Sequence, residues 1–130
     1  MPSLSKRSLE QLNTCDPRLV AILNEVIKHY DFTVICGHRT QEDQDQVFRE
    51  GTSKLRWPNS KHNSLPSKAV DIAPYPLDWD DEVRFARLMG HVERVANEQG
   101  IRLRFGLDFD GDGRSNDERF LDYPHVELVD

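Results

Sequence analysis

No stretch of this 130-residue chain approaches the ~20 consecutive apolar residues that a membrane-crossing helix needs. Cysteine is scarce. Cys15 and Cys36 fit neither a disulfide framework nor a zinc knuckle, and both lie beside apolar segments where a thiol behaves as a small buried hydrophobe. Basic charge is in deficit, with 17 Lys and Arg against 23 Asp and Glu for a net charge of −6. That is the opposite of the basic surface a nucleic-acid binder carries. The N-terminus, Met1 to Leu9, has basic residues but no apolar run behind them, so it does not read as a secretory signal. Internal repeats and linkers are lacking too, and the length suits one domain over residues 1–130.

What remains is a globular balance of 37% hydrophobic and 31% charged residues, punctuated by Pro and Gly. Asp16-Pro17 opens a helix, since Asp caps well and Pro fits the first helical position. Leu19, Ile22, Leu23, Val26, Ile27 and Tyr30 follow as one apolar stripe. Phe32 to Cys36 is a β-rich run stopped by Gly37. Thr40 caps a second helix through Arg49, with Gly51 as its stop. Ala69 to Ala73 reads as a strand cut off by Pro74 and Pro76, and Asp80 to Gln99 as a long amphipathic helix ended by Gly100. Ile101 to Phe105 and His125 to Val129 are short strands on either side of a Gly- and Asp-rich loop. The expected class is α+β, an antiparallel sheet with flanking helices.

The chemistry lies in two segments, Ser60-Lys-His62-Asn-Ser-Leu-Pro-Ser-Lys-Ala-Val-Asp71 and Asp122-Tyr-Pro-His125. Together they hold two imidazoles, a carboxylate ligand and a spare carboxylate. Catalytic zinc takes three such protein ligands and leaves the fourth position to water, and a spare carboxylate can move that water's proton. Pro124 prevents an ordinary helix interior around His125, so this is no His-Glu-x-x-His helix. Any one of these residues alone reads best as a surface or hydrogen-bonded side chain. The constellation carries the signal.

The contexts around these residues resemble the zinc signature of the VanY-like D-Ala-D-Ala metallopeptidase family, in the form carried by phage lysis proteins. The matching residues are Ser60-x-His62-Asn63, Pro66-Ser67-x-Ala69-Val70-Asp71 and Pro74-Tyr75-Pro76, with Gly37-His38-Arg39-Thr40 and Gln44 upstream and Asp122-Tyr-Pro-His125 downstream. The resemblance spans Phe32 to Leu128, and the longer gap between His62 and Asp71 matches a phage subgroup. It implies a Hedgehog/DD-peptidase-like fold and an endolysin that cuts the L-alanyl-D-glutamate bond of the peptidoglycan stem peptide. His62, Asp71 and His125 would be zinc ligands and Asp122 the catalytic carboxylate. Arg39 would steady the scissile carbonyl or a substrate carboxylate, and Gln44 and Ser60 would be substrate-side hydrogen-bonding residues. The implied setting is a monomer without stable membrane association. It would accumulate in the host cytoplasm and reach the wall after release by a separate holin-like protein. Two alternatives stand beside it: a D-Ala-D-Ala carboxypeptidase on the same fold, and a non-catalytic zinc-containing wall-binding module.

Asp108-Phe-Asp110-Gly-Asp112-Gly113 matches the first half of an EF-hand loop, but Arg119 stands where the bidentate Glu belongs. An Asp/Gly-rich turn bonding to its own backbone is one explanation. Calcium held by Asp108, Asp110, Asp112 and Asp117 is the other, and the resemblance favours it.

Overall fold

A computed structural model describes residues 2–106 and 122–129. The elements are α1 (Lys6–Leu12), α2 (Pro17–Val26), β1 (Phe32–Cys36), α3 (Gln41–Arg49), β2 (Ala69–Pro74), α4 (Glu82–Glu98), β3 (Leu103–Phe105) and β4 (His125–Leu128). The strands form one antiparallel sheet in the order β1-β2-β4-β3. The α+β class read from the sequence is the observed one.

Strand alternation sorts the sheet into two faces. Val34, Val70, Ile72, Val126 and Leu128 point to one side, where the stripes of α2 (Leu19, Ile22, Leu23, Val26) and α4 (Leu88, Met89, Val92, Val95, Ala96) bury them in a single apolar core. The opposite face therefore receives Asp71 from β2, His125 and Glu127 from β4 and Arg104 from β3. Asp71 pairs in register with His125, and Arg104 with Glu127. The core holds the sheet and the other face carries the chemistry.

The caps read from the sequence are in place. Asp16 accepts from the Arg18 N–H at the start of α2, and Thr40 accepts from the Asp43 N–H at the start of α3. α2 ends at Val26, four residues short of Tyr30, and the Tyr30 ring instead lies tilted against His91 of α4, with centroids 5.1 Å apart. The sequence pattern did not announce α1. Its role is at the sheet edge: Ser8 Oγ accepts from the Val34 N–H at 3.0 Å and Gln11 Oε1 from the Gly37 N–H at 3.1 Å. These are donors an uncovered edge strand would leave open. Cys15 is buried as expected, whereas Cys36 is half-buried.

Candidate metal centre

Three chain segments converge above the sheet. β2 supplies Asp71 and β4 supplies His125, directly opposite each other. His62 comes from the loop between α3 and β2, which is tied down by the Arg39 N–H donating to the His62 carbonyl (2.8 Å) and by the His62 N–H donating to Ser60 Oγ (3.2 Å). One potential ligand atom from each of His62, Asp71 and His125 lies within 4.8 Å of the others. His62 Nε2 and His125 Nδ1 are each 3.2 Å from Asp71 Oδ1. Donors around one tetrahedral ion at ~2.0–2.1 Å would stand about 3.3 Å apart, so the set fits a single small cation.

The ring nitrogens pointing away from that point are occupied as metal-binding histidines require. His62 Nδ1 lies 2.7 Å from the Gly37 carbonyl, and His125 Nε2 lies 2.8 Å from Glu127 Oε1. Each contact directs the other nitrogen of its ring toward Asp71. Position 37 has to be glycine, because a Cβ there would run into the Gln11 carbonyl and Thr14 Oγ1. A larger residue would push away the carbonyl that orients His62. Glu127 was not singled out in the sequence, although its i+2 spacing from His125 on a strand places both on one face. Lys61 and Arg104 approach its other oxygen at 3.3 and 3.6 Å.

The charges respond to this crowding. Burial would raise the Asp71 carboxyl, but the two flanking imidazoles hold it far below the usual carboxylate range. Burial would lower both histidines, yet Asp71 raises them well above an ordinary imidazole. In the metal-free protein these rings therefore hold protons that a cation would displace. Asp122 behaves differently. Burial and then the Asp71 charge push it up, opposed by His125, His62 and Arg39. Its backbone is fixed by N–H donation to the Gly106 carbonyl at 2.9 Å, and Gly106 has no Cβ to collide with the Asp122 carbonyl.

Arg39 sits beside the ligands, with Nη2 3.6 Å from Asp71 Oδ2 and Nη1 donating to Gln44 Oε1 at 2.9 Å. Gln44 is fully buried. Its amide is used by Arg39, Asn63, Ser53 Oγ and the Leu55 carbonyl. In this structure Gln44, expected on the substrate side, holds Arg39 through its side-chain oxygen. Ser60 is likewise buried, and its hydroxyl supports the His62 backbone. Arg39, Asp122 and the triad all line one cavity of about 1080 Å³. His38 lines it too, with its ring on the Ser64 carbonyl at 2.9 Å. The expected calcium ligands Asp108, Asp110, Asp112 and Asp117 lie outside the described residues.

A model of the phage L-alanyl-D-glutamate peptidase family matches residues 2–129. The chain belongs to that family. The L-alanyl-D-glutamate peptidase of Escherichia phage T5 is 37% identical over 132 residues, covering 95% of this chain and 96% of the phage protein. The crystal structure of the Serratia marcescens L-Ala D-Glu endopeptidase ChiX superposes with a TM-score of 0.77 at 26% identity, covering 98% of this peptidase and 90% of ChiX. The peptidase thus shares its fold with ChiX, and its triad could hold a metal ion, consistent with a metallopeptidase. Among the described residues no helix is long and apolar enough to cross a membrane.

Proposed function

We propose that this chain is a zinc-dependent endolysin that hydrolyses the L-Ala–D-Glu bond of the peptidoglycan stem peptide. The observation that carries the proposal is the convergence of His62, Asp71 and His125 beside Asp122 and Arg39 in one cavity, within a chain of this family. Two nitrogens and one oxygen, each imidazole backed by an acceptor, suit zinc. Zinc held there would supply Lewis-acid chemistry, polarising a peptide carbonyl and lowering the pKa of water.

The remaining chemistry belongs to the protein. Asp122, whose carboxyl burial pushes up, lines the same cavity as the triad and would accept a proton and return it to the leaving amine of D-Glu. Arg39 is permanently charged and clamped by Gln44, which suits it to stabilising negative charge as it develops on the carbonyl oxygen. The Asp122 backbone is anchored through Gly106 just after β3.

The same proposal includes a monomer that acts on the wall after release by a holin-like protein. It also includes calcium at the Asp108–Asp117 run, on the spacing of those carboxylates. Gly106 and Asp122, the described residues on either side of residues 107–121, are bonded to each other. Equal wall digestion with calcium chelated and calcium supplied would remove that part.

The metal requirement is tested on purified sacculi. Stripping the protein with a strong chelator should abolish digestion, zinc should restore it, and His62→Ala should neither bind zinc nor digest. Full digestion by demonstrably metal-free protein would overturn the proposal.

A further inference from the structure

Trp79 is set apart from the other large apolar side chains at the surface. Its indole stacks on the buried Phe85 ring at 5.7 Å and 19°, yet the residue remains 54% exposed. It also lines the cavity that contains the metal triad. The turn that carries it is built to hold it: Asp78 accepts from the Asp80 N–H at 3.0 Å, and Asp81 caps α4 through the Arg84 N–H at 3.2 Å. One side of the ring is fixed against the core, and the rest is presented to solvent beside the site.

The substrate's own chemistry says what must reach this place. L-Ala is the first residue of the stem peptide and is joined directly to the lactyl group of the muramyl sugar. A cut after L-Ala therefore brings a pyranose ring within about 10 Å of the scissile bond, one residue plus a short linker away. The cavity, at about 1080 Å³, has room for more than a dipeptide. Sugar rings carry apolar C–H faces that pack flat on aromatic rings. Among the described lining residues only Trp79 and Tyr123 offer an aromatic side chain other than histidine, and Tyr123 is the less accessible of the two, lying half-buried with its ring 6.1 Å from Phe85.

We infer that Trp79 is a sugar-stacking platform that takes the muramyl ring of the glycan strand while the triad engages the peptide. The inference rests on the proposed function, because it assumes a stem-peptide substrate. It makes the enzyme a reader of glycan-attached peptide, less active on peptide that has already been released.

Two ligands decide it, a disaccharide-tetrapeptide muropeptide and the same tetrapeptide without sugars. Trp79→Ala should lower kcat/KM on the muropeptide about tenfold, the size of one aromatic stacking contact, and change the free peptide less than twofold. Trp79→Phe should recover most of the loss. In a Trp57→Phe background Trp79 is the sole tryptophan, and its emission should shift blue with the muropeptide and stay unchanged with the free peptide. Equal loss on both substrates, no loss on either, or the same emission change with both ligands would overturn the inference. Wild-type protein that cleaved neither substrate would instead sink the proposed function, and the emission titration would still decide the sugar platform.

Discussion

At the residue scale, ligand, base and support are separable. The Asp122 side chain is not among the clustered ligand donors, and its backbone carbonyl, which accepts from the His125 N–H, is kept in Asp122→Asn, so that variant should bind zinc as wild type does while losing ~10²–10⁴ in turnover. Zinc content by mass spectrometry beside single-turnover rates would check this, and a parallel fall in both would make Asp122 a ligand. Glu127 is the reverse case. It meets the triad at the far nitrogen of His125, and Glu127→Gln should weaken zinc binding about 10–100-fold, read by competition with a chromophoric chelator. Unchanged affinity would reduce Glu127 to a surface ion pair with Lys61 and Arg104. These roles were unevenly legible. His62, Asp71, Asp122 and His125 stood in motifs. Gln44 stood out through the family resemblance alone, since the run Gln41-Glu-Asp-Gln-Asp-Gln46 does not itself distinguish the amide that folds inward. Only the tertiary position of Arg39 assigns it.

At the element scale, Pro, Gly and capping residues marked most boundaries, because they act through local backbone geometry. The start of α1 was missed for the opposite reason. Seven residues are too few for a periodic stripe, and the helix is defined by covering the edge of β1. The irregular pairing between Val34 and Cys36 was equally silent, since a bulge depends on the partner strand. The α2 cap gives a prediction of its own. Asp16 is held below the usual carboxylate range chiefly by its hydrogen bond to Arg18, against the opposing effect of burial, with Lys68 adding to the depression. A carboxyl depressed in the folded state stabilises fully above its unfolded pKa of ~3.9, and that contribution is lost as pH falls below it toward the folded value. Asp16→Asn keeps a capping side chain, so it should unfold at a temperature less dependent on pH between pH 5 and pH 2 than wild type does. Parallel melting curves would place the wild type's acid sensitivity elsewhere.

At the scale of the whole molecule, one sheet separates two jobs. α2 and α4 bury one face into a core, and the other face presents a ligand set whose members come from loop, β2 and β4. The family motifs pointed to His62, Asp71 and His125 as candidate ligands, but only the β2–β4 register shows that Asp71 and His125 are direct neighbours. The raised histidines of the metal-free site mean that metal competes with protons. Zinc affinity should therefore fall as pH is lowered, and binding at neutral pH should release protons. Calorimetry in buffers of different ionisation heat would count them, and a binding heat independent of buffer would contradict the electrostatics. The account's central claim is a particular bond, cut by this site. The most direct test is mass spectrometry of purified peptidoglycan after digestion with the zinc-loaded protein, beside an Asp122→Ala control. The account predicts a new free amine on D-Glu that is absent from the control. Release of terminal D-Ala would make the chain a carboxypeptidase on the same fold, and no cleavage at all would contradict the account.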